Sequence, residues 1–128
     1  MSKHVVLVDD SKTVLASCEM AFEDMIANGE IKLSTYNDPA KMLEDVQSGK
    51  ISYDLVILDI NMPHINGLDL ARELKIDPTL KMKPIIMLTI ENSNRMKVEG
   101  KKIGITGWKV KPCSDDKLIQ SVRGALGI

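Results

Sequence analysis

Asp54-Leu-Val-Ile-Leu-Asp59-Ile-Asn-Met-Pro63 decides how the rest of the chain is read. Leu55 to Leu58 is an unbroken apolar run containing two β-branched residues, which predicts a strand buried on both faces. The run stops at the carboxylate of Asp59. Asn61-Met62-Pro63 then cannot extend it, because proline has no N–H to give to a ladder. One aspartate is thereby placed at the carboxyl end of a buried strand, where ligands bind in open parallel sheets.

The same pattern recurs on either side. Val5 to Val8 is a second apolar run, ending on Asp9-Asp10, and Pro84 to Leu88 is a third, ending on Thr89. Ile31 to Tyr36 alternates apolar and polar residues, as a strand with one wet side does. Thr106 to Val110 predicts a fifth strand, ending at Lys111-Pro112. Helical periodicity fills the gaps. From Ser11, a plausible N-cap, the residues Val14, Leu15, Cys18, Phe22, Met25 and Ile26 fall three and four apart, and Asn28-Gly29 stops the helix. Asp38-Pro39 opens a second helix, with Met42, Leu43 and Val46 inward, and Gly49 ends it. Asn66-Gly67 reads as a turn before a short helix over Leu68 to Lys75, with Leu70, Ala71 and Leu74 inward. A weakly amphipathic helix follows Ser93, with Met96 and Val98 its main apolar residues. Ser114 caps a last helix carrying Leu118, Ile119, Val122 and Leu126.

This alternation of strand and helix predicts an α/β fold: a doubly wound, flavodoxin-like parallel sheet of five strands with helices on both faces. The three continuous runs suit interior strands and the two mixed ones suit edges, which gives the order 2-1-3-4-5. The winding then reverses between strands one and three. Asp9, Asp10 and Asp59 meet in the crevice there, with Thr89 and Lys111 at the ends of the neighbouring strands.

Composition narrows the function. The 128 residues are read as one domain spanning 1–128, with a formal net charge of -1 that offers no global field to nucleic acid or an anionic membrane. The N-terminal apolar run is too short for a signal peptide, and no stretch approaches the ~20 apolar residues of a membrane span. Two cysteines, Cys18 and Cys113, make no disulfide framework and read as reduced thiols of a cytoplasmic protein.

Three converging carboxylates repel one another by about 3 kcal/mol per pair, at ~5 Å and an effective dielectric of ~20. Either some stay protonated or a cation sits among them. Hard oxygen donors open to solvent suit Mg²⁺, and the metal together with the Lys111 ammonium balances the three aspartates. A site so neutralised can accept a phosphoryl group. Asp59, standing opposite the Asp9-Asp10 pair, is the best nucleophile for it. Taken singly these residues are ordinary: Asp9-Asp10 a turn and helix cap, Thr89 a strand end, Lys111 a solvated charge, Trp108 edge packing. Their joint placement carries the reading.

Val8-Asp9-Asp10, Leu58-Asp59 with Asn61-Met62-Pro63 and Gly67, Thr89, and Lys111-Pro112 resemble the receiver domain of two-component response regulators, from about His4 to the C-terminus. The resemblance implies that Asp10, Asp59 and the backbone carbonyl of Asn61 bind Mg²⁺ directly, with Asp9 acting largely through water. It implies that Asp59 takes a phosphoryl group from a sensor histidine kinase and that Thr89 and Lys111 hold the phosphoryl oxygens. The stand-alone chemotaxis receivers, CheY-like proteins served by a CheA-like kinase, are the most similar variety. By that likeness Asn61 and Glu91 flank the water that hydrolyses the acyl phosphate. Thr89 and Trp108 form a switch that remodels the face of the fourth helix, fifth strand and fifth helix. The partner would be a phosphorylation-dependent target, such as a flagellar-motor switch protein or a phosphatase. Such a protein is a signalling module that catalyses only its own phosphorylation and dephosphorylation; a phosphorelay intermediate or phosphate sink is the alternative. A flavin-binding flavodoxin would need a Ser/Thr/Gly-rich loop where Asp9-Asp10 stands. A haloacid-dehalogenase-type phosphatase would need Asp-x-Asp there.

The sequence departs from the family pattern at several places. Ile90 stands where a small residue is usual and is expected to narrow access to the phosphoryl site. Trp108 is larger than the usual Tyr or Phe. Asn66 replaces a commoner Asp and Cys113 a commoner aromatic; both are expected to affect packing or turn stability. Arg95, Lys97, Lys101, Lys102, Lys109 and Lys111 outnumber Glu91 and Glu99 between Ile90 and Lys111, forming a solvated face or a surface for an acidic partner.

Overall fold

Each apolar run of the sequence becomes a strand. A computed structural model describes residues 2–128. In chain order the described elements are β1 (Lys3–Val8), α1 (Lys12–Ala21), α2 (Glu23–Ala27), β2 (Ile31–Tyr36), α3 (Pro39–Gln47), β3 (Leu55–Leu58), α4 (Gly67–Ile76), β4 (Ile85–Thr89), α5 (Asn94–Ile103), β5 (Gly107–Val110) and α6 (Asp115–Leu126). The strands form one five-stranded sheet in the order β2-β1-β3-β4-β5, and every pairing is parallel. No helix among the described residues is long and apolar enough to cross a membrane.

Because side chains alternate across a strand, the sheet carries two cores. Val6, Val8, Val56, Leu58 and Met87 face α3 and α4, where Met42, Leu70 and Leu74 meet them. Val5, Leu7, Leu55, Ile57 and Leu88 face α1, α2 and α6, against Leu15, Phe22, Leu118 and Val122. All of Leu55 to Leu58 is solvent-inaccessible. At roughly 1.5–3 kcal/mol for each large side chain so buried, β3 contributes to both layers, as β1 and β4 also do.

The register sets the positions of the strand ends. Val8 pairs with Leu58 and Leu58 with Met87. Asp9 and Asp59, each one residue further on, therefore leave the sheet side by side. Thr89 pairs with Val110, so Lys111 emerges one step beyond.

The helix caps work as the sequence indicates. Ser11, Asp38 and Ser114 each accept a bond from a backbone N–H of the first turn, and Ser93, read from the sequence only as the start of a helix, does the same. Three expectations need correction. The helix expected to run unbroken from Ser11 to Ile26 is two helices that meet at Phe22, whose ring is fully buried. The backbone bonds from Phe22 N to Cys18 O and from Ile26 N to Phe22 O, both 3.0 Å, carry the chain through the bend. Asn66-Gly67 is no free turn: Asn66 caps α4, accepting from Asp69 N at 2.9 Å, and Gly67 is its first residue. Val98 does not face inward. It is 52% exposed, while Met96, Gly100 and Ile103, spaced four and three apart, form the packed side of α5.

One buried polar atom has no bond. The Tyr53 hydroxyl, just before β3, is alone among the described residues in being a buried side-chain donor or acceptor without a partner. Burial and the nearby charge of Asp77 push its pKa up. Leaving such a group unpaired costs about 1–3 kcal/mol. Tyr53→Phe is therefore expected to keep the fold and to raise stability by about 1 kcal/mol in urea unfolding; a loss of stability would show that the hydroxyl has a partner.

Candidate functional site

The carboxyl ends of β1, β3, β4 and β5 bring Asp9, Asp10, Asp59, Thr89 and Lys111 to one end of the sheet. Asp9 is 2% exposed and Asp59 6%, Thr89 is fully buried, and Asp10 lies open at the rim. Backbone bonds lock these positions: Asp9 N to Tyr36 O at 3.0 Å, Asp59 N to Val8 O at 3.2 Å, and Lys111 N to Thr89 O at 2.9 Å. The chemistry-bearing residues are thus continuations of the ladder, held as firmly as the sheet.

Lys111 spans the site. Its Nζ donates to Asp9 Oδ2 at 2.7 Å and to Asp59 Oδ2 at 3.2 Å. Burial lowers the pKa of the ammonium, but the bond and charge of Asp9, with the charge of Asp59, outweigh it and hold Lys111 above its ordinary value. For Asp9 the balance goes the other way. Burial raises its carboxyl pKa by more than the bonds from Lys111 and the Ser11 N–H lower it. Desolvation thus opposes charge on the deepest carboxylate, and a further cation would relieve it. Of the two aspartates that Lys111 touches, Asp9 is the closer.

One carboxylate oxygen each of Asp9, Asp10 and Asp59 lies within 4.8 Å of the others. An octahedral cation with bonds of about 2.1 Å sets its oxygens about 3 Å apart when adjacent and about 4.2 Å when opposite. The three aspartates therefore fit a small hard cation such as the predicted Mg²⁺.

The loop after β3 is shaped around Asp59. The Asn61 N–H points at Asp59 Oδ1 from 3.4 Å, and Gly67 N donates to Ile60 O at 2.9 Å. Gly67 is there because nothing larger fits. A Cβ on it would overlap the Asp59 carbonyl oxygen and lie 2.8 Å from the Asp59 carbonyl carbon. The dipeptide read as a turn is thus a spacing element for the Asp59 peptide.

The loop after β4 links Thr89 to β5. Glu91 N donates to Thr89 Oγ1 at 3.2 Å, which leaves the hydroxyl proton of Thr89 free to point elsewhere. The Glu91 carbonyl accepts the indole N–H of Trp108 at 2.9 Å. The resemblance pairs Thr89 with Trp108 and Asn61 with Glu91, but does not give this backbone connection through Glu91. Ile90, between them, is 69% exposed. It helps line a cavity of about 350 Å³ together with Val14, Leu88, Lys111, Pro112 and both cysteines. Cys18 and Cys113 are free thiols, and burial pushes Cys18 up to about 11.

Gly67→Ala is expected to displace the Asp59 peptide. The variant should stay folded by circular dichroism, lose more than about 1 kcal/mol of stability to overpacking, and bind Mg²⁺ more weakly in a titration of Trp108 fluorescence. Unchanged metal affinity would show that the loop position does not control the site.

Comparison with known proteins agrees with this geometry. Residues 5–123 match the family model described as response regulator receiver domain. The Chemotaxis protein CheY of Pseudomonas aeruginosa is 28% identical over 118 residues, 92% of this chain and 91% of that protein. The cyclic di-GMP phosphodiesterase response regulator RpfG of Xanthomonas campestris is 30% identical over 109 residues, 85% of this chain but 28% of that much longer protein. Among solved structures, the chemotaxis response regulator CheY4 of Vibrio cholerae superposes with a TM-score of 0.85 at 31% identity, over 98% of this chain and 100% of that one. With the winding reversal at the acidic crevice and Lys111 across it, these matches make the chain a member of the response regulator receiver domain family.

Proposed function

We propose that this chain is a single-receiver response regulator of a two-component system, in the manner of the chemotaxis proteins it resembles. It accepts a phosphoryl group from a phosphohistidine of a CheA-like sensor kinase onto Asp59, and the modification alters the surface made by α5, β5 and α6. The observation that carries this reading is the Lys111 ammonium bonded to both Asp9 and Asp59 at the end of the sheet.

In the transfer, a carboxylate oxygen of Asp59 attacks phosphorus, the P–N bond breaks, and the imidazole leaves as an aspartyl phosphate forms. Asp59 is nearly dry, so charges placed around it act with little screening. Lys111 follows the oxygens as negative charge moves from the carboxylate to the phosphoryl group. The Thr89 hydroxyl, with its oxygen already bonded by Glu91 N, donates its proton to a phosphoryl oxygen. Mg²⁺, held by Asp9, Asp10 and Asp59 with the Asn61 carbonyl, would supply the remaining positive charge on those oxygens. Asn61 and the Glu91 side chain, one on each loop bordering Asp59, orient the water that later removes the group. The Thr89–Glu91–Trp108 connection favours a switched binding module over a simple phosphoryl carrier, because it leads from the reacting site to the outer edge of the sheet. The target at that edge would be a motor-switch protein or a phosphatase.

Acetyl phosphate with Mg²⁺ is expected to add one phosphoryl group by mass, to be ineffective after chelation by EDTA, and to leave Asp59→Asn unmodified. A modified Asp59→Asn would overturn the assignment. Ile90→Ala is expected to gain and lose the group several-fold faster than wild type, in a phosphoprotein time course. Equal rates in both directions would remove Ile90 from control of access.

A further inference from the structure

Trp108 is bulkier than the Tyr or Phe that the resemblance leads one to expect, so something must make room for it. The indole is half-buried on the edge strand β5, packed against the α3–α4 side core with Met96, Ile103 and Ile105. Across from its six-membered ring stands Gly100, the one buried residue of α5. A Cβ at Gly100 would lie 3.2 Å from Trp108 Cζ3, tighter than side chains normally approach, and 3.4 Å from Ile105 Cγ1, at the near limit of ordinary contact. The φ of Gly100 lies outside the left-handed range, so backbone conformation does not call for glycine there. Glycine also weakens a helix interior relative to alanine. The reason for it is the ring. Gly100 and Gly107 both border the shallow cavity of about 160 Å³ beside the indole.

We propose that Gly100 is a positioning residue: it forms the seat for Trp108 on α5, and so aims the indole N–H at the Glu91 carbonyl. Glu91 N–H in turn holds Thr89 Oγ1, so the missing side chain on α5 sets the position of a hydroxyl at the reacting site. The proposal rests on the receiver reading for its consequence in phosphorylation, but the seat itself is independent of that reading.

Trp108 is the chain's sole tryptophan, so emission reports it alone. The purified protein is expected to emit to the blue of free tryptophan and to resist quenching by acrylamide; Gly100→Ala should shift emission to the red and increase quenching. Emission and quenching of wild type like those of free tryptophan would overturn the seat. The decisive comparison uses two backgrounds. Phenylalanine at position 108 lacks both Cζ3 and the ring N–H. Gly100→Ala is therefore expected to raise the urea midpoint in Trp108→Phe, through the ordinary gain in helix propensity, and to lower it in wild type. Equal midpoint shifts in the two backgrounds would refute the seat, because a purely helical effect is blind to residue 108. For the coupling to Thr89, Gly100→Ala should slow phosphorylation by acetyl phosphate several-fold in wild type and leave the rate of Trp108→Phe unchanged. The same slowing in both backgrounds would remove the link. If no variant, wild type included, takes up a phosphoryl group, the receiver reading fails, and emission and unfolding still decide the seat.

Discussion

Three ionised aspartates in one crevice can coexist only with positive charge among them, and much of the surrounding structure bears on supplying it. Lys111 contributes the part that belongs to the protein. It reaches from the end of β5 across β4 to β3 and β1, touching Asp9 and Asp59 together. Neither carboxylate could be buried alone at tolerable cost, since an isolated buried charge would neutralise instead. The rise in the pKa of Asp9, caused by burial, shows that one ammonium does not fully offset desolvation at that position. A divalent cation among the three carboxylates would meet that residual demand for charge.

That demand explains the stiffness of the surroundings. Asp9, Asp59 and Lys111 are each fixed by a backbone bond that extends the sheet ladder. Gly67 lets the following loop close directly onto the Asp59 peptide. A rigid cluster of like charges is preorganised for a ligand of opposite charge, so little reorganisation is needed when one arrives. Asp10, exposed at the rim, is the member free to adjust.

The site is joined to the outer strand through main chain. Thr89 and Trp108 are separated by a strand-to-strand step and do not need to touch, because the Glu91 backbone accepts from one and donates to the other. Beyond Trp108 lies α5, whose exposed face carries Arg95, Lys101 and Lys102. Its acid Glu99 is engaged by Arg72 of α4 at 3.0 Å, which leaves that face basic. Charge of this kind acts on encounter and selectivity with an acidic partner more than on affinity.

Periodicity and strand-end chemistry were enough to read the parallel order, the two edge strands, the helix caps and the meeting of Asp9, Asp10, Asp59, Thr89 and Lys111. These follow from local rules: apolar runs end where a polar residue must leave the core, and right-handed crossovers permit few windings. What the sequence could not show depended on distances between residues far apart in the chain. Val98 looked inward by composition and faces solvent, because the packed side of α5 is chosen by its neighbours Met96, Gly100 and Ile103. Asp9 and Asp10 are adjacent and chemically equal, yet only the direction of the backbone after Val8 buries the first against Lys111 and leaves the second in water. Gly67 and Gly100 look like a turn and a helix blemish until the Asp59 carbonyl and the Trp108 ring stand beside them. A sequence specifies which groups are available at each strand end; close packing in three dimensions decides which of them touch, because contact is a matter of a few tenths of an ångström that no local pattern encodes.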